Sequence, residues 1–89
     1  MFRFTRHARE KIRTELWRFG IDEGLVVSTI QNPDELLYDT HTGRYIAINY
    51  SEKIAVIYEE NLVILIITII YCSTIDRLVV RRKRSGRWI

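Results

Sequence analysis

The sequence predicts an α+β domain, with two N-terminal helices packed on a four-stranded, mainly antiparallel sheet and a C-terminal helix or basic arm. Three observations carry that expectation. Apolar residues recur at helical spacing over the first thirty positions, strand signals replace them from Asp34 onward, and cations crowd the last thirteen residues. At 89 residues, 47% apolar and 28% charged, the chain has the length and composition of one folded domain spanning residues 1–89. No repeat, Ser/Gly linker or low-complexity tract divides it.

Thr5 is placed to cap a first helix running to about Phe19, with Phe4, Ala8, Ile12, Leu16 and Phe19 on one stripe and Arg6, Glu10, Arg13 and Trp17 opposite. Gly20 is the expected stop. Asp22 then caps a shorter helix whose inner positions are Leu25, Val26, Thr29 and Ile30, and Asn32-Pro33 ends it, because a residue before proline avoids the helical region. Leu36 to Asp39 reads as a strand. Thr40-His41-Thr42-Gly43 supplies a hairpin turn, with glycine where a positive φ is cheap. Arg44 to Tyr50 alternates as a second strand, Ser51-Glu52-Lys53 turns the chain, and Ile54 to Tyr58 forms a third. Glu59-Glu60-Asn61 reads as a tight polar turn. Leu62 to Tyr71, rich in isoleucine, fits a strand covered on both faces or by a second chain. Ser73 or Thr74 begins a helix to about Lys83, stopped by Ser85-Gly86; the open alternative is an extended tail.

Composition narrows the function classes. The single cysteine, Cys72, excludes an internal disulfide and a cysteine zinc site, and reads as a buried small hydrophobe. Met1-Phe2-Arg3-Phe4 leads into no secretory apolar stretch, and the longest apolar run, Leu62 to Cys72, has 11 residues where a membrane helix needs roughly 20. The expectation is a cytoplasmic protein without membrane contact. Fourteen isoleucines and few Gln, Cys or Met suit a thermophile. No phosphate-cradling glycine loop, nucleophile elbow or metal-binding histidine spacing occurs, so no metal or cofactor is expected. His41 reads as a solvated turn residue.

The formal charge of +3 is unevenly placed. Residues 77–89 hold six cations (Arg77, Arg81, Arg82, Lys83, Arg84 and Arg87) and no acid, whereas residues 1–76 hold eight cations and eleven acids. A basic segment on a mildly acidic body is an electrostatic footprint for RNA, DNA or an acidic partner. The same cations also favour a helix C-terminus, a purely structural use. Leu78, Val79, Val80, Trp88 and Ile89 frame the run, so part of it should dock on the body.

One segment carries a family likeness. Phe4-Thr5-Arg6-His7-Ala8, with Lys11-Ile12, Gly20-Ile21-Asp22 and Asn32-Pro33, resembles a family of small uncharacterised domains. They open with phenylalanine, a polar residue, any residue and His-Ala, then a basic residue four positions after the histidine and a Gly-Ile helix break. Thr42-Gly43-Arg44-Tyr45 and Tyr58-Glu59-Glu60 fit that family's sheet, and the resemblance spans residues 2–72. Here Gly20-Ile21 arrives about one helical turn later than in the family pattern, so only His7 and Lys11 carry over. The family is similar in layout to the RelE/ParE and BrnT toxins, some of which cut mRNA.

That resemblance implies a candidate RNA-cutting site. His7 and Lys11, four apart on one helical flank, would supply a proton-accepting imidazole and a cation, with Arg44 or an arginine of the C-terminal segment for phosphorane-like charge. Alternatively, His7 is a boundary residue that bonds a neighbouring strand or fixes the helix start. Tyr45 and Tyr58 are either base-stacking positions or packing residues. Two function classes stand side by side: a toxin-type ribonuclease, and a non-catalytic module binding nucleic acid or protein through the basic segment. An apolar strand in so short a chain, with Trp17 and Trp88 expected at the surface, favours a homodimer or a surface covered by an antitoxin-like protein.

Overall fold

The computed structural model describes all 89 residues. In chain order it contains β1 (Phe2–Phe4), α1 (Arg6–Thr14), a 3₁₀ turn (Leu16–Phe19), α2 (Glu23–Gln31), β2 (Glu35–Tyr38), β3 (Tyr45–Asn49), β4 (Ile54–Glu60), β5 (Ile64–Tyr71) and α3 (Ile75–Arg84). The strands form one mixed, mostly antiparallel sheet in the order β1-β5-β4-β3-β2.

The helix signals act as their chemistry dictates. The Thr5 hydroxyl accepts from the Ala8 N–H at 3.1 Å, and the Asp22 carboxylate accepts from the Leu25 N–H at 2.8 Å. Each satisfies an N–H that a helix start leaves without an intrahelical partner. The first helix is shorter than its periodicity suggests. It ends at Thr14, and the chain tightens through the 3₁₀ turn into Gly20, whose φ of 77° closes it. Ala8, Ile12 and Leu16 are buried as expected, while Phe19 swings out to stack on Tyr71, centroids 4.1 Å apart.

The sheet has five strands rather than four. Phe2–Phe4 pairs parallel to β5, Phe2 opposite Ile64 and Phe4 opposite Ile66. Phe4 therefore belongs to a strand, not to the helical stripe. Glu59 and Glu60 extend β4 opposite Leu65 and Ile64, so the turn begins at Asn61. Backbone pairing with β5 overrides the turn preference of the two acids. Ile67 is an extra residue at a β-bulge, since Ile57 faces Thr68 and Tyr58 faces Ile66. The Thr5 hydroxyl donates to the Ile67 carbonyl at 2.9 Å, so the same side chain caps α1 and pins the bulge. β5 is interior over Ile64–Ile66, between β1 and β4, and has a strand partner on one side only beyond them.

Strand alternation divides the core between the two faces. On one face Ala8, Ile12 and Leu16, with Val26 of α2, meet Ala47, Ile54, Val56, Tyr58, Ile66 and Ile69. On the other, Ile75, Leu78 and Val79 of α3 meet Leu37, Ile46, Ile48 and Ala55. The C-terminal segment is thus a helix, and it lies across the sheet from α1 and α2. Trp88 seals this second core and is only 3% exposed, contrary to its expected surface position. Gly86, at φ 75°, turns the chain back so that Trp88 bridges Asp39 beside β2. Cys72 is free and half-buried against the same core. No helix is long and apolar enough to cross a membrane.

Candidate nucleic-acid interface

The six cations of the C-terminal segment separate into two sets of three. Helical spacing from Ile75 turns positions 75, 78, 79 and 82 toward the sheet, so Arg82 lies inward with the core residues. Its guanidinium carbon sits 5.7 Å from the Trp88 ring centroid, a cation–π contact, and its Nε is buried without a hydrogen bond. Lys83 reaches sideways to the Glu35 carboxylate of β2. Arg87 donates its Nε to both carboxylate oxygens of Asp39, each at 3.2 Å. These three cations fasten α3 and the C-terminal strap to the sheet.

Arg77, Arg81 and Arg84 are different. They are exposed, make no ion pair, and follow one another at intervals of four and three residues on the outward side of α3. With Asp76 and Val80 they line a shallow concavity of about 300 Å³. Asp76 lies in the first helical turn, where a negative charge opposes the partial positive charge of the helix N-terminus. Val80 is 48% exposed, an apolar side chain set among cations. Neither was singled out as a site residue by the sequence pattern. The helical wheel would have placed both beside the arginines.

The acids that hold the fastening cations are shifted in the direction this geometry demands. The Lys83 ammonium, and then the Tyr50 hydroxyl bonded at 2.6 Å, hold Glu35 below the usual carboxylate range. Burial pushes Asp39 upward, but Arg87 and the N–H groups of His41 and Thr42 outweigh it and leave the group lowered. Burial, and then the bond to Glu35, raises the Tyr50 phenol to about 12.

The residues of the RNA-cutting expectation are dispersed. His7 is exposed at the start of α1, with Nε2 3.0 Å from the Thr68 hydroxyl on β5. That contact ties the imidazole to a neighbouring strand. Lys11 is half-buried and makes neither an ion pair nor a side-chain hydrogen bond. Arg44 is bound to Glu59 across β3 and β4, Nε to oxygen 2.9 Å. The sheet stands between α1 and the arginines of α3, so the His7–Lys11 pair and the basic stripe share no groove. Tyr58 is buried and stacks on Tyr45 at 5.6 Å, and Tyr38 meets Tyr45 edge-on at 5.7 Å, which makes this row part of the packing. His41 is exposed in its turn, and no group of three His, Cys, Asp or Glu side chains is placed to hold a metal ion.

No family model matches the chain, and neither a curated protein nor a solved structure matches it.

Proposed function

We propose that the protein is a non-catalytic nucleic-acid-binding module whose contact surface is the outward face of α3. The observation that carries this reading is the alignment of Arg77, Arg81 and Arg84, exposed and unpaired while their neighbours Arg82, Lys83 and Arg87 are engaged within the fold. From Arg77 to Arg84 the helix rises about 10 Å. One strand of duplex DNA carries about three phosphates over that axial length. Three forked donors on a rigid helix therefore fit a short run of phosphates, and α3 is held in place by its own buried residues.

Cleavage of RNA would require a proton-transfer group beside the cations that stabilise the phosphorane. His7 belongs to α1, which packs on the other face of the sheet from the stripe, and this separation supports the binding reading. A titration of purified protein with mixed-sequence duplex DNA over a range of salt concentrations tests the reading. Three phosphate contacts give a slope of log affinity against log salt of about −3. Absence of binding at low salt, or a slope near zero, overturns it.

A further inference from the structure

We infer that the nucleic acid recognised is B-form duplex DNA, with α3 seated in its major groove; this rests on the reading of α3 as the binding face. α3 is the sole helix on its side of the sheet, because α1 and α2 pack on the other. It stands above the strands by a helix diameter, about 10–12 Å with side chains. The B-DNA major groove is about 12 Å wide and about 8.5 Å deep, and admits a single helix. On the same side, β1 and the first half of β5 carry no covering helix, and Arg3 between core residues Phe2 and Phe4 points that way by strand alternation.

The stripe also carries chemistry that phosphate alone does not use. Val80 leaves apolar surface in water at the centre of the stripe, which contributes nothing to a phosphate contact. Asp76, at the N-terminal end of the stripe, repels phosphates. Both residue types have partners on the edges of bases. An apolar side chain meets the thymine methyl, a carboxylate accepts from cytosine N4, and arginine donates to guanine O6 and N7. Asp34 accepts from the Tyr50 N–H and has no cation partner; the other acids near this face are paired, Glu35 with Lys83, Asp39 with Arg87 and Glu59 with Arg44. The backbone walls of a groove would therefore meet no uncompensated carboxylate at the paired positions.

The major groove of A-form RNA is deep and too narrow for side chains to read, and a single strand offers no groove. The experiment compares a mixed-sequence DNA duplex of about two turns, the RNA duplex of the same sequence, either single strand and inorganic polyphosphate, at one low salt concentration. A further duplex carries methyl groups on guanine N7, a major-groove atom. Binding at least about tenfold tighter to the DNA duplex than to the RNA duplex, weakened at least about fivefold by N7 methylation, is the expected result. Equal affinity for DNA, RNA and polyphosphate, or indifference to N7 methylation, overturns the groove assignment and leaves the phosphate-binding reading intact. Failure to bind any of these polyanions overturns both.

Discussion

Arg87 clasps Asp39 across 48 positions of sequence, its Nε lying 3.2 Å from each carboxylate oxygen. Asp39 is 6% exposed and also accepts from the backbone N–H groups of His41 and Thr42, at 2.8 and 3.1 Å. One carboxylate thus organises the β2–β3 hairpin and anchors the strap that brings Trp88 into the second core. Removing it as Asp39→Ala leaves Arg87 and two turn N–H groups without their acceptor. The expected loss is about 2–4 kcal/mol in urea unfolding. Asp39→Asn retains an acceptor for the turn and should lose less.

The same carboxylate makes stability depend on acid. The folded pKa of Asp39 lies below its unfolded value of about 3.9, so near neutrality the charged group contributes stability in full. As pH falls through the unfolded and then the folded pKa, the unfolded chain binds the proton more readily and the contribution disappears. Glu35 adds to the same trend from a slightly higher starting value. Unfolding free energy measured from pH 6 down to about pH 3 should fall, and Asp39→Asn should flatten that fall.

Trp88→Ala opens the second core beneath α3 and removes the ring against which Arg82 lies. A buried aromatic replaced by alanine costs about 3–5 kcal/mol. Chemical denaturation should show a shift of that size, and an exposed-site effect below about 0.5 kcal/mol would place Trp88 outside the core.

His7→Ala tests the separation of the two faces. It removes one exposed hydrogen bond to Thr68, worth about 0.5–1.5 kcal/mol at most. Nucleic-acid affinity and its salt slope should stay unchanged. Weakened binding in a folded His7→Ala protein would draw α1 into the interface.

Much of this architecture was legible in the residues, because it rests on local chemistry. Thr5 and Asp22 cap helices, Gly20 and Gly43 take positive φ, and Asn32-Pro33 ends α2. What escaped depends on pairing between distant segments. Phe2–Phe4 is only three residues long and becomes a strand through Ile64–Ile66, sixty-two positions away, so no local turn announces it. Glu59 and Glu60 are poor strand formers held in register by β5. Trp88 lies past a helix-breaking glycine, and only its bridge to Asp39 makes it a core residue. The candidate interface was half legible. Charge density marked the segment, but the division of its cations required knowing which side of α3 meets the sheet, and the inward position of Arg82 follows from the 75, 78, 79, 82 spacing once that is known.

Under the proposed function, only Arg77, Arg81 and Arg84 of the six C-terminal cations are available to a polyanion. Two triple variants, Arg77→Gln/Arg81→Gln/Arg84→Gln and Arg82→Gln/Lys83→Gln/Arg87→Gln, remove the same formal charge and separate the two sets. Each is titrated with duplex DNA across a range of salt and unfolded in urea. The first should lose about two to three units of salt slope with stability changed by less than about 1 kcal/mol. The second should lose several kcal/mol of stability, about 2–5 kcal/mol, and where folded at low temperature should keep most of its slope. Equal losses of slope in the two variants would overturn this division, because binding would then follow total charge rather than the exposed face of α3.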